Sequence, residues 1–177
     1  MKDFILSKKG TVITAISAAV TLLICAVMNA ILIPIIEEAT NGIRCFDMNF
    51  AYGYESAKLF LKLISEKGMD VYLHIQLPLD FIYPIAYMIF FIFIITKLTR
   101  QLSILSFLPC VLAGLDYIEN ICTIIMLKSD DLSRNLALVA SIVTSVKTTI
   151  MYLIFAIIII SFIYYLLSRK KKKQVNA

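Results

Sequence analysis

Residues 136–167 read LALVASIVTSVKTTIMYLIFAIIIISFIYYLL, followed by Ser168 and the basic run Arg169–Lys173. Lys147 is the one charge in that stretch, and it holds neither glycine nor proline. A helix needs about 20 apolar residues to cross the hydrocarbon of a bilayer, and this segment exceeds that. The basic run beyond it reads as a cytoplasmic stop that also meets anionic lipid head groups. Nucleic acid is the weaker reading of such a run beside a spanning helix, and no nucleic-acid partner is expected.

Three further segments share this character. They run from about Leu102 to Leu127, Leu77 to Thr96 and Thr11 to Ile36. Hydrophobic residues make up 60% of the chain, against about 45–50% in soluble domains. Mean hydropathy is +0.89. The 177 residues suffice for one membrane domain, and no soluble catalytic domain fits outside the spans. The expected fold is all-α, an integral membrane four-helix bundle. The first segment follows Lys2, Lys8 and Lys9 like a signal peptide. Its apolar stretch is longer than the roughly 7–15 residues of such a core, so it reads as a retained span.

Orientation follows from the lysines and arginines. The N-terminal tail, the Lys97–Arg100 turn and the C-terminal run 169–177 are basic. Glu37–Gln76 instead carries six acidic residues and four Lys or Arg. The positive-inside rule then predicts a cell-membrane protein with both termini in the cytoplasm and residues 37–76 as an outer loop. Within that loop, Leu59, Phe60, Leu63 and Ile64 predict a short amphipathic helix over Tyr54–Lys67. Lys58 and Lys62 face water in this reading, and Gly68 stops the helix.

Asp80, Asp116, Glu119 and Lys147 fall inside the spans. Each such group costs roughly 2.5–3.5 kcal/mol on insertion scales, so they usually face the bundle interior and serve function. Asp116, Glu119, Asn120 and Thr123 recur at i, i+3, i+4, i+7 and form one polar stripe. Gln76, Asp80, Tyr83, Pro84 and Tyr87 share a face of the second span, and Thr144, Lys147 and Met151 one of the fourth. The first span offers Asn29, on the side of Cys25 and Ile36. Counted from the cytoplasmic ends at 1.5 Å per residue, these groups lie at similar heights, from ~22 Å for Asp116 to ~33 Å for Lys147. Polar groups in membrane bundles also act as interhelical glue worth about 0.6 kcal/mol each. Three carboxylates facing one lysine do not balance, however. The surplus must be protonated, hydrated or matched by a cation.

Several chemistries find no residues. Cys25, Cys45, Cys110 and Cys122 form no C-x-x-C pair and His74 is the one histidine, which argues against a thiol redox centre, a zinc site or a bis-histidine haem, and no metal ligands are assigned. There is no H-E-x-x-H helix, no G-x-S-x-G elbow and no glycine-rich phosphate loop. No cofactor is called for. Asp80 and Asp116 invite comparison with the aspartate pair of lipoprotein signal peptidase, but the asparagine- and glycine-rich motifs of that family are missing. Over about Asn29–Met151 the chain resembles a group of small uncharacterised bacterial four-span membrane proteins. The resemblance rests on the outer helix from Tyr52, Asp80-Phe-Ile-Tyr-Pro84, Asp116-Tyr-Ile-Glu119-Asn120, Ser141 and Lys147. It implies no activity.

Three functions stay open at this stage. The first is binding or transport of a cation, a proton or a cationic head group. Asp116 and Glu119 would be its main ligands, Asp80 a second-span partner and Lys147 the counter-ion. Asn29, Asn120, Tyr83 and Tyr87 would add neutral hydrogen bonds. Four spans are few for a solitary transporter, so a homo-dimer is expected in that case. The second is an intramembrane enzyme using Asp80 with Asp116, or Asp116 with Glu119, as an acid–base pair on a lipid or lipid-linked substrate. The third is a structural or regulatory subunit.

Overall fold

The computed structural model describes the backbone of residues 1–175 and the side chains of residues 1–168. Every regular element among them is helical. A short α1 (Lys2–Leu6) precedes α2 (Lys8–Glu38). A 3-10 turn, Phe46–Met48, and α3 (Tyr54–Leu63) occupy the long loop. Then come α4 (Glu66–Thr99), α5 (Ile104–Leu127) and α6 (Arg134–Val175). Four helices, α2, α4, α5 and α6 over Arg134–Ser168, are long and apolar enough to cross a membrane. The chain is an all-α four-helix membrane bundle with a short amphipathic helix in its first long loop. The side chains of the basic tail, 169–177, lie outside the described residues.

The spanning helices exceed their apolar cores. The second begins at Glu66, not near Leu77, and its 34 residues rise ~51 Å against a hydrocarbon thickness of ~30 Å. Its loop-side end therefore extends beyond that length and supports the loop. Helix α4 is central: α2 packs along one side of it, and α5 and α6 pack on the other and on each other.

Proline shapes the two outer helix ends. A π turn, Met28–Leu32, precedes Pro34 in α2, and a second, Tyr72–Gln76, precedes Pro78 in α4. Proline offers no N–H to the carbonyl four residues back and its ring crowds that carbonyl. A wider turn accommodates both faults. The two π turns pack against each other.

The loop helix ends earlier than expected. Ile64 is extended (φ −60°, ψ 124°), and the Ser65 hydroxyl accepts from the Gly68 N–H at 3.3 Å, restarting a helix. Gly68 is thus not a stop; it sits in the first turn of α4, where a Cβ would stand 2.4 Å from Ala39 Cβ. The inward face of α3 is Ala57, Phe60, Leu61 and Ile64. Leu59 is exposed, as are Lys58 and Lys62, because the i, i+3, i+4, i+7 row through Ala57 decides the packing.

Two apolar cores bracket a polar layer. The outer core joins Ile33 and Ile36, Phe46, Phe60, Tyr72, Met126 and Ala140. The inner core joins Tyr87, Phe91 and Ile95 of α4 to Leu112, Ala113 and Ile154. Asp80 of α4, Asp116 and Glu119 of α5 and Lys147 of α6 fall between these two sets in sequence. The loop is pinned over the outer core: the Tyr52 N–H donates to Ser141 Oγ at 3.0 Å, and Ser145 Oγ donates to the Phe50 carbonyl at 2.8 Å. The Phe46 ring lies 4.6 Å from Phe60 and 5.2 Å from Tyr52, centroid to centroid.

Candidate functional site: an acidic cluster around Lys147

The α5 stripe faces inward. Glu119 is 1% exposed, and Asn120 and Thr123 are buried. Opposite it, α6 presents Thr144 and Lys147. The Lys147 ammonium bridges two carboxylates of α5, lying 2.9 Å from Asp116 Oδ1 and in contact with Glu119 Oε2. Each carboxylate has one more donor. Tyr87 of α4 donates its hydroxyl to Asp116 Oδ2, and Thr144 donates to Glu119 Oε1. Thr144 Oγ1 also lies 3.0 Å from the Ala140 carbonyl. The Thr144 hydroxyl is thus shared between a side-chain and a backbone acceptor.

Asp80 stands beside this triad. Its Oδ2 accepts from Gln76 Nε2 at 3.3 Å, and it lies within electrostatic range of Lys147, Asp116 and Glu119 without an ion pair to Lys147. Its backbone carbonyl has a separate problem. The helical donor for that carbonyl would be residue 84, which is proline. The Asn120 side chain supplies the missing N–H at 2.9 Å. Asn120 is therefore committed to joining α5 to α4. Tyr83 meets the Cys25 side chain and packs edge-on to Tyr87 at 5.1 Å, so it links α4 to α2 instead of touching a carboxylate.

Asn29 is not brought to the cluster. It is exposed, and its amide donates to the Cys25 carbonyl one turn back in its own helix. The cause is the π turn at Met28–Leu32, whose extra residue shifts the register. Asn29 and Ile36, one face in a regular helix, part company: Ile36 is buried and Asn29 faces outward.

The cluster includes one residue that sequence pattern did not mark. Asp47, in the 3-10 turn of the loop, lies within electrostatic range of Lys147 and Asp116 and is the strongest charged neighbour of Asp80. Burial pushes its carboxyl above the ordinary carboxylate range, Lys147 pulls the other way, and Asp116 adds to the rise. Burial likewise raises the hydroxyl of Tyr52, which lies by Glu119 and Thr144. Loops have no hydrophobic period, so the one hint to Asp47 was its setting among apolar and aromatic residues of the loop, between Phe46 and Met48.

Two carboxylates thus contact the Lys147 ammonium, and two more, Asp47 and Asp80, lie within electrostatic range of it. Among the described residues no group of three or more His, Cys, Asp and Glu is placed to hold a metal ion. The arrangement can hold or exchange protons, and its surplus of acceptor oxygens suits a positively charged occupant. Comparison with known protein families, curated proteins and solved structures finds no match to this chain.

Proposed function

We propose that this multi-pass membrane protein binds a positively charged species, a proton, a cation or a cationic head group, in the acidic layer under its first long loop. One observation carries the reading: Asp47, Asp80, Asp116 and Glu119 gather around Lys147 between two closed apolar cores. Ionised together, four carboxylates and one ammonium would leave three unbalanced charges in a low-dielectric layer, which is far too costly to persist. Protons or another cation must make up the difference. The Lys147 triad supplies the fixed part of the site, and Asp47 and Asp80 supply the surplus. We further propose the cell membrane as its location, both termini in the cytoplasm and the site on the outer side, from the placement of lysine and arginine.

The test is infrared difference spectroscopy of the protein in nanodiscs through a pH step and on addition of cations. Protonated carboxyl bands that respond, and that change in Asp116→Asn and Glu119→Gln, are expected. A silent spectrum under every cation and pH would mean a balanced structural network and would end the proposal.

The inner core supports a second reading. Phe91, Ile95, Leu112 and Ile154 pack together below the cluster, and among the described residues no buried ionisable group continues beyond them. A site backed by that apolar layer also suits an intramembrane acid–base enzyme acting on a lipid-linked substrate. Asp116 and Glu119, three residues apart and sharing Lys147, would then be the carboxyl pair.

A further inference from the structure

The acidic layer divides into two unequal halves. In the first, Lys147 makes ion pairs with both Asp116 and Glu119. In the second, Asp47 and Asp80 have no cationic side chain in contact among the described residues. Gln76 lies in this second half and is wholly buried. Its Nε2 donates to Asp80 Oδ2, which holds the amide against the carboxylate. Its Oε1 is buried and receives no hydrogen bond, and the same is true of Asp47 Oδ1. Two buried, unpartnered acceptors thus belong to the half of the layer that lacks a positive charge. They come from independent parts of the chain, the loop turn at Phe46–Met48 and the π turn Tyr72–Gln76.

Buried acceptors without donors are a standing cost, and a second carboxylate beside them raises it. A hydrogen-bond donor on a neighbouring side chain would relieve one oxygen at most. A metal cation relieves all of them together, because it accepts oxygen ligands from any direction within its shell. The set here is hard: carboxylate and amide oxygens, with no thiolate or imidazole among them. It is also weakly charged, with two carboxylates and no third close enough to complete a metal-binding group. That composition disfavours a divalent transition metal and fits one monovalent ion.

We propose that Asp47 Oδ1, Gln76 Oε1 and the Asp80 carboxylate form a site for one small monovalent metal cation of the sodium class. The site lies beside the Lys147 triad and is closed outward by the aromatic turn at Phe46. This rests on the reading of the layer as a cation site and names the ion and its ligands. Gln76, held against Asp80 with its own oxygen buried and unpartnered, is the residue that sets the site apart from a bare acidic pair.

The experiment measures binding of radioactive sodium to the full-length protein in nanodiscs, against choline and potassium at constant ionic strength. Saturable binding near one ion per chain is expected. Gln76→Leu and Asp47→Asn should each weaken it at least tenfold, while Gln76→Glu, which keeps an acceptor oxygen at the same place, should retain it. Elution as a monodisperse species and an unchanged helical circular dichroism spectrum serve as the folding controls. No sodium binding by the wild type, or equal binding in Gln76→Leu, overturns the proposal. If the carboxyl infrared bands still respond to pH in that case, the broader cation reading survives with the proton as its occupant. If they do not respond, both fall.

Discussion

The side chain of Asn120 donates to the backbone carbonyl of Asp80 across 2.9 Å and stands in for the N–H that Pro84 lacks. A broken helical ladder on α4 is thereby repaired from α5. In hydrocarbon an unpaired carbonyl has no water to fall back on, so this bond fixes the α4–α5 register more firmly than an average interhelical contact.

Replacing Asn120 by Leu should destabilise the protein by about 1–3 kcal/mol, the cost of stranding a buried carbonyl. Pro84→Ala restores a backbone donor to the same carbonyl. The double variant Asn120→Leu, Pro84→Ala should therefore recover much of the loss, and unfolding midpoints in detergent would show the coupling. Additive losses would contradict the account.

Lys147→Met should be the most damaging substitution in the layer. It leaves Asp116 and Glu119 without their shared cation, at a cost of about 3–5 kcal/mol. Adding Asp116→Asn and Glu119→Gln to Lys147→Met removes the uncompensated charge and should restore yield and melting temperature in part. No recovery in the triple variant would mean that Lys147 acts through packing alone.

Asp47 should make stability depend on pH in a definite direction. Its folded-state carboxyl is held above the unfolded value by burial, so the stability it contributes is present in acid and lost as pH rises through the folded value. In sodium-free buffer the wild type should weaken from about pH 4 upward as the unfolded chain ionises first. Asp47→Asn should flatten that slope and be at least as stable as wild type at neutral pH. Thermal unfolding across this range checks it; an unchanged slope would remove Asp47 from the buried layer.

Topology can be tested separately. In a cysteine-free background, a cysteine at Ser56 should react with an impermeant maleimide added to intact cells, and one at Lys2 should not. Ser56 is exposed on α3, in the loop that carries the acidic excess. Labelling of Lys2→Cys from outside would invert the orientation proposed above.

The four spans were legible because about twenty apolar residues in a row have few other uses. The α5 stripe was legible for a related reason: Asp116, Glu119, Asn120 and Thr123 keep helical spacing over a regular helix, and all face inward. Legibility ended where the helix ceased to be regular or the segment ceased to be a helix. Asn29 was misplaced by a π turn, which pattern counting at 3.6 residues per turn does not register. Gly68 read as a stop because glycine commonly ends helices, whereas here it admits Ala39 to the first turn of the next one. Asp47 was missed because a loop residue is brought to its neighbours by tertiary contacts alone. Even inside the stripe, the chemistry of Asn120 depended on a proline in another helix.

The position of the inner core has an electrical consequence. Nearly all of a transmembrane voltage falls across dry, low-dielectric material, and the layer of Phe91, Ile95, Leu112 and Ile154 is such material. The acidic cluster lies on the loop side of that layer and beneath the outer core, so an ion bound there from the loop side crosses the outer core but not the inner one. A full crossing is worth about 2.3 kcal/mol per elementary charge per 100 mV, and occupancy of this site would draw on a part of it. Binding at the cluster should therefore respond to membrane potential less steeply than a full crossing would. Only a movement that opens the inner core would feel the field in full.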